Sequence, residues 1–373
     1  LRYNPRRIGS LSRVVTPPYD VISPLGQRRY HERHPYNFIR MVFGLERSGD
    51  DARHNRHIRA KETLDRWVRT GILQPDPEPS LYPYEQEYRL EGRTYTRRGV
   101  IALVHLGASQ IYPHEETREK PLRDRLRLLE AARACLSPIF GLVPDPDGSY
   151  RRLILKLCQS RLIGVVRLEG VRHRLWRVSD PGLIQAVREL LDGRALVIAD
   201  GHHRYEAARR FRKRESAKRG RENPQAPYHY AMFYLASAGE EEPGLLPTHR
   251  VLTRASTRGA QQLQKSMEAS GALHPVRTLA QALGVLERLQ RRGAIGIGVC
   301  CGSGSRYVLE GNGRSAHALD VAPPPDPSPA GRPPTAGPPL AAGAGGGVEW
   351  LHGKLIPEWF RRSNGVLYTQ YVR

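Results

Sequence analysis

Between Ala195 and Ala208 the chain reads Ala-Leu-Val-Ile-Ala-Asp-Gly-His-His-Arg-Tyr-Glu-Ala-Ala. A short apolar, β-branched run meets a tight polar turn, and a charged helix-forming stretch continues to about Lys218. This predicts strand, turn and helix in that order. Asp200 falls at the helix N-cap position, and Gly201 can adopt φ > 0, so the next amides are left unpaired at the positive end of a helix dipole. Unpaired amides beside His202, His203 and Arg204 make an anion site. The same residues also suit an ordinary capped helix with solvated basic side chains. Six site-type residues in one turn favour the functional reading.

The chain around this turn has 373 residues, and 39% hydrophobic content is enough for a real core. A net charge of +22, from 59 Lys and Arg against 37 Asp and Glu, suggests a polyanionic partner such as nucleic acid or nucleotide phosphate. Only seven of these cations are lysines, and the arginines are spread along every segment, as an Arg-biased genome would also produce. The densest run, Arg209 to Arg221, lies on the helix after the turn and also reads as its wet face. Cys135, Cys158, Cys300 and Cys301 lack the Cys-x-x-Cys spacing of a metal or redox motif, which points to a reducing cytoplasm. No apolar run approaches membrane-spanning length, and the first residues do not resemble a signal peptide, so no membrane partner is expected. The chain starts without Met, so the natural N-terminus is expected upstream.

Taken in order, Pro17 and Pro18 stiffen an extended approach that holds Tyr19 and Asp20 on a loop, and Ser23-Pro24 reads as N-cap and first position of a helix to His34. Asn37 to Gly44 reads as a strand, and Asn55 to Arg69 as an amphipathic helix stopped by Gly71. Tyr82 to Tyr88 and Arg93 to Arg98 form a predicted hairpin, with Gly99 to Leu106 as a third strand. His114, Glu115, Glu116 and Thr117 then precede a basic helix that runs to Ala134. They suit acid, base or metal-ligand roles, and equally a favourable helix start.

Further strands are read at Ser137 to Val143, Leu162 to Leu168, Arg174 to Val178 and Tyr228 to Ala236, with a helix from Leu183 to Leu191. His249 and Arg250 sit between apolar ends and could reach a phosphate or form a surface turn. Helices at Arg258 to Ser270 and Leu279 to Arg292 and strands near Ile295 to Cys300 and Arg306 to Leu309 complete an α+β pattern of mixed sheets and packed helices. The main domain is placed at residues 1–321, with sub-units 1–145 and 146–321 as a possible division. Residues 322–347, rich in Pro, Ala and Gly, cannot build a core and read as a disordered insertion, and 348–373 recover amphipathic character before a strand at Tyr368 to Val372.

Four ordered motifs resemble the prokaryotic domain-of-unknown-function family 1015. They are Pro17-Pro18-Tyr19-Asp20-Val21-Ile22, His114-Glu115-Glu116-Thr117 with Asp124-Arg125-Leu126, Ala199-Asp200-Gly201-His202-His203-Arg204-Tyr205-Glu206, and Leu246-Pro247-Thr248-His249-Arg250. The Asp-Gly-His-His-Arg turn is also similar to the phosphate-binding turn of the ParB and sulfiredoxin superfamily, which includes free-serine kinases. That second resemblance implies a ParB/sulfiredoxin-like strand-turn-helix core.

The expectation is therefore nucleotide-dependent phosphoryl transfer to a small hydroxylated acceptor such as a free amino acid, using ADP or ATP with Mg²⁺. Gly201, His202, His203 and Arg204 would hold phosphates, with Arg125, His249 and Arg250 completing the pocket. Asp200, Glu115 and His203 are the catalytic candidates, Asp200 or Glu115 the Mg²⁺ ligands, and Tyr19, Asp20, His114 and Thr117 the rim. A non-enzymatic ParB-like nucleotide switch or DNA-associated protein is the alternative. A metal-dependent phosphatase using His202, His203, Glu206 and His114 is the third reading. Oligomeric state is left open.

Overall fold

The computed structural model describes residues 1–90, 92–108, 110–219, 223–238, 249–253, 265, 267, 271–292, 294, 296–300, 305–311 and 368–372. The chain forms two units, Leu1–Gly244 and Leu245–Arg373, and its architecture is mixed α+β.

The first unit opens with β1 (Arg2–Tyr3) and five helices: α1 (Pro5–Ile8), α2 (Leu11–Val14), α3 (Pro24–Arg33), α4 (Ile39–Val42) and α5 (Arg56–Arg69). β2 (Leu73–Gln74), β3 (Tyr82–Leu90), β4 (Arg93–His105) and β5 (Ile111–Tyr112) lead to α6 (Glu119–Ala132) and β6 (Ile139–Val143). Next come α7 (Ser149–Leu157), β7 (Arg161–Leu168), β8 (Val171–Arg177) and α8 (Pro181–Leu191). β9 (Leu196–Asp200), α9 (His202–Arg219) and β10 (Tyr230–Ser237) complete it. Eight strands form one sheet in the order β5-β9-β6-β10-β4-β3-β8-β7, which draws on both sides of residue 145. The β5–β9 and β6–β10 pairs are parallel and the others antiparallel.

Local chemistry sets several boundaries where the sequence indicated them. Ser23 caps α3 by accepting from Gly26 N–H, and Asn55 caps α5 by accepting from His57 and Ile58 N–H. Gly71, at φ +71°, ends the turn after α5 in a conformation that L side chains rarely adopt.

Three expectations are corrected. Residues 37–44 carry the one-turn helix α4 rather than a strand. The fully buried Asn37 carboxamide donates to the carbonyls of Arg13 and Val15 and accepts from Ile39 N–H, which turns the chain over. The predicted break at Gly99 does not occur, because β4 runs through it as one strand. Gly99 serves close approach instead: a Cβ there would lie 2.0 Å from the Leu235 carbonyl oxygen of β10. Helix α7 was not foreseen. Its Tyr150, Ile154 and Leu157, spaced i, i+4, i+7, are buried, and Asp145 accepts from the amides of Tyr150 and Arg151 at its start.

The main core joins Val100, Ile139, Ile198, Phe233 and Leu235 of the sheet to Tyr150, Ile154 and Leu157 of α7 and to Tyr205 and Ala208 of α9. A second cluster packs Met41, Leu64 and Trp67 with Leu128 of α6, and a third packs Leu122 and Leu126 of α6 on Ala207 and Phe211 of α9. Each such large side chain stabilises by about 1.5–3 kcal/mol when buried. Together these clusters fix α6 and α9 beside the end of β9.

In the second unit, strand His249–Thr253 pairs antiparallel with Tyr368–Val372. Strands Gly271–Val276, Arg306–Gly311 and Gly296–Cys300 form an antiparallel sheet, and helix Leu279–Arg291 buries Ala282 and Leu289 in one cluster with Val308. The predicted helix over 258–270 lies almost wholly outside the described residues, as do Thr248, Cys301, the 322–347 insertion and residues 348–367. Cys135, Cys158 and Cys300 are free thiols. Among the described residues no helix is long and apolar enough to cross a membrane.

Candidate functional site

β5 and β9 are parallel neighbours, with Tyr112 opposite Val197, so residues 113–118 leave the sheet at the same end as Asp200. Gly201 follows at φ +91°, and its carbonyl accepts from Tyr205 N–H at 2.9 Å. Gly201, not Asp200, is therefore the backbone cap of α9, which corrects the predicted cap position. The Asp200 carboxylate instead accepts from Arg204 Nη2 at 2.5 Å. Arg204 folds back over the turn: its Nη1 donates to the Pro138 carbonyl, and a Cβ on Gly201 would stand 2.9 Å from its Cζ and Nε. The first amides of α9, which no preceding turn can bond, remain at the mouth of this arrangement.

Gly201 is thus constrained by both φ and the Arg204 contact. Gly201→Ala is expected to cost about 1–2 kcal/mol from the backbone alone, read as a lower urea midpoint. An unchanged midpoint would show that the turn relaxes to another conformation.

The two histidines of the turn point to different partners. His202 is 5% exposed, and its Nε2 accepts from His114 N–H at 3.4 Å, while the His114 ring meets it edge to face with centroids 4.5 Å apart. With Nε2 accepting, Nδ1 carries the proton and lies 3.8 Å from the Glu115 carboxylate. Burial, reinforced by His114, His203 and Arg204, pushes its pKa down to about 3, so His202 is neutral at neutral pH and supplies an acceptor rather than a charge. His203 Nε2 accepts from Arg118 N–H at 3.0 Å. Burial lowers its pKa too, opposed by the charges of Glu115, Asp20 and Asp200. Burial also lowers the pKa of His114, opposed by the charge of Glu115, and its Nδ1 is buried without a partner, as is Nε of Arg204.

His202 makes stability depend on pH. Below its unfolded pKa of about 6.5 the unfolded chain takes up a proton that the folded chain refuses. Its contribution is therefore complete above that pH and is lost as pH falls toward about 3. A slope of about 1.4 kcal/mol per pH unit belongs to one such group. His202→Gln should show a shallower fall in urea midpoint between neutral and mildly acidic pH than the parent, and equal slopes would exclude His202 as the source.

Behind the turn lies a charged cluster. Asp124 accepts from Arg56 Nη2 at 2.6 Å, pairs with His57 Nε2 at 2.7 Å and binds Arg125 through Nε and Nη2. Burial alone would raise its pKa, but His57, Arg125 and Arg56 hold the carboxyl well below the usual range. Arg125, 6% exposed, donates to the Val42 carbonyl and places its guanidinium carbon 3.8 Å from the centre of the Tyr19 ring. Arg125 thus acts on Tyr19, and burial raises the pKa of that phenol.

The structure brings together Asp200, Gly201, His202, His203, Arg204, His114 and Glu115, with Asp20 and Tyr19 close enough to interact electrostatically. Thr117 sits half-buried in the same loop. His249 and Arg250 belong to the second unit, and their side chains lie outside the described residues. Sequence reasoning missed Arg118, Arg56 and His57. Arg118 was signalled only by adjacency to the His114–Thr117 motif, and the other two carry no local signal, since they reach Asp124 through the packing of α5 on α6.

A cavity of about 50 Å³ lies beneath the turn, lined by Arg125, Ser137, Arg204, Ala207, Ala208 and other residues. It has room for a few waters and is too small for a nucleotide. Among the described residues no group of three or more His, Cys, Asp or Glu is disposed to hold a metal ion. Glu206 is engaged by Arg210 and Arg209.

The fold and this site define a mixed α+β protein whose β9–α9 turn gathers imidazole, guanidinium and carboxylate side chains at one end of its large sheet. The chain belongs to the family described as "Protein of unknown function (DUF1015)", which matches residues 1–322. No curated protein and no solved structure matches it.

Proposed function

We propose that the β9–α9 turn binds a nucleotide by its phosphates and that the chain transfers a phosphoryl group to a small hydroxylated acceptor. The observation that carries this reading is the convergence of Asp20, Glu115 and Asp200, from three separate segments, on His203 at the N-terminal end of an 18-residue helix. Helix amides and Arg204 offer donors for phosphate oxygens, and the carboxylates offer a base. Asp200 takes the acceptor's hydroxyl proton, the acceptor oxygen bonds to the terminal phosphorus, and the bond from that phosphorus to the bridging oxygen breaks, releasing the shortened nucleotide.

His202, being neutral and buried, positions the His114–Glu115 loop through its bond to His114. Mg²⁺ commonly takes one or two carboxylates, completing its shell with water and phosphate. Asp200 or Glu115 fits that role better than a cage of protein ligands, and the ion would neutralise phosphate charge. A phosphatase centre is less favoured, because Glu206 is tied to arginines of its own helix.

The element order of Leu196–Asp200, Gly201 and α9 is what we read as ParB/sulfiredoxin-like. Against a DNA-associated role for α9, four of its basic residues are locally compensated: Arg210 and Arg209 pair with Glu206, Arg214 with Glu130 and Lys218 with Glu215.

Incubation with ADP or ATP, Mg²⁺ and a panel of free hydroxy amino acids, followed by phosphorus NMR, should show a new phosphomonoester signal. No transfer together with no nucleotide-induced thermal shift would overturn the reading. Nucleotide binding without transfer to any acceptor would favour the non-enzymatic switch.

A further inference from the structure

The large sheet ends at β7. This strand pairs with β8 along one edge, and no other backbone among the described residues bonds to its second edge. An edge with open N–H and C=O groups is a template for one more strand. Residues directly opposite each other share a face, so Leu162, Val165 and Arg167 stand on the same face as their partners Trp176, Arg174 and Arg172. Leu162 and Val165 are 49% and 48% exposed there. The other face is covered at Gly164, where a Cβ would lie 3.3 Å from Leu11 Cδ1 of α2.

Charge indicates what kind of strand fits. Arg167 stands directly opposite Arg172, and like charges so placed cost stability. The carboxylates around them are engaged elsewhere. Glu87, opposite Arg172 on β3, accepts from Arg174 at 2.8 Å, and Glu169 in the β7–β8 turn accepts from the Tyr30 hydroxyl at 2.9 Å. Neither Arg167 nor Arg172 forms an ion pair among the described residues. The comparable pair of Arg161 and Arg177 is relieved within the fold, because Arg177 lies 3.0 Å from Glu78 and 3.8 Å from Asp76.

We propose that β7 takes up an extended acidic segment of a partner protein as one more strand of the sheet. The partner's main chain bonds the open edge, and a carboxylate beside Arg167 answers both guanidiniums. Apolar residues at alternate positions of the same segment cover Val165 and Leu162. The bulge between Leu162 and Gly164 lengthens the spacing there by one residue. A second copy of the chain does not suit this edge. An antiparallel pair of β7 strands centred on Gly164 sets Arg161 against Arg167, on chains that each carry a net charge of +22. This surface is independent of the phosphoryl-transfer reading.

The test is fluorescence anisotropy of the full chain with a labelled peptide Thr-Glu-Thr-Val-Thr-Val-Thr, made in this order and reversed, beside the same peptides with Lys in place of Glu. In one order the acidic peptide should bind at least about tenfold more tightly than its Lys form, the worth of one charge-assisted contact. Arg167→Glu should invert that preference. A carboxylate at that position faces Arg172, so the variant should keep or raise the parental urea midpoint. Strand addition has a second signature that needs no protein variant. Amides of alternate residues point to the same edge of a strand, so N-methylation at the Glu and Val positions and N-methylation at the Thr positions should differ, one abolishing binding and the other sparing it. No binding, equal binding of the Glu and Lys peptides, equal effects of the two methylation patterns, or the parental preference in Arg167→Glu would overturn the proposal. A dimer in sedimentation that the peptide disperses would assign the edge to a second copy and overturn it as well.

Discussion

Asp200→Asn is expected to lower phosphoryl transfer by about two to four orders of magnitude, the usual worth of a general base, while nucleotide affinity changes little. The expectation rests on what the amide preserves. Asn keeps an oxygen that can accept from Arg204 Nη2, so the guanidinium stays folded over Gly201 and the helix end keeps its shape. What is lost is the negative charge and the ability to take a proton. The measurement is nucleotide affinity by calorimetry beside turnover by phosphorus NMR. Glu115→Gln is the companion variant: full turnover in Asp200→Asn with loss in Glu115→Gln would move the base to Glu115, 3.8 Å from His202 Nδ1.

Asp124→Ala should be the most destabilising single change behind the site, by about 3 kcal/mol or more. Removing this carboxylate leaves Arg56, His57 and Arg125 facing one another without their common counter-charge, and Arg125 is too buried for water to replace it. Asp124→Asn should cost less, because one carbonyl oxygen still accepts. The urea midpoint of each variant measures the effect, and urea is preferable to guanidinium because it does not screen charge. The carboxyl's depressed pKa fixes the sign of its pH dependence. Its stabilisation is complete above the ordinary aspartate range and is lost as pH falls through its lower folded value. The alanine variant should therefore lose less stability than the parent on strong acidification. Equal midpoints for parent and alanine variant at neutral pH would mean that the cluster is solvated in solution.

The strand-turn-helix at residues 196–219 was legible because it is written locally: β-branched residues, a glycine that tolerates φ +91°, and helix formers after it. The caps at Ser23 and Asn55 were legible for the same reason. Errors came where a tertiary contact outweighed the local pattern. Asn37 turns residues 39–42 into a helix by bonding carbonyls about twenty residues away, and Gly99 reads as a break until the backbone of β10 is known to lie against it. In the site, residue types were readable but partnerships were not. Arg125 was expected on a phosphate, yet it stacks on Tyr19 and pairs with Asp124, and His202 was expected to hold a phosphate, yet burial makes it a neutral acceptor of the His114 amide. Composition sees charge, whereas partner and burial decide what that charge does.

The pairing of Arg204 with Asp200 has a consequence for timing. The carboxylate proposed as the base is bonded to the guanidinium that the proposed function sets against a phosphate. A phosphate that draws Arg204 toward itself would release the carboxylate, so the donor's arrival would arm the base.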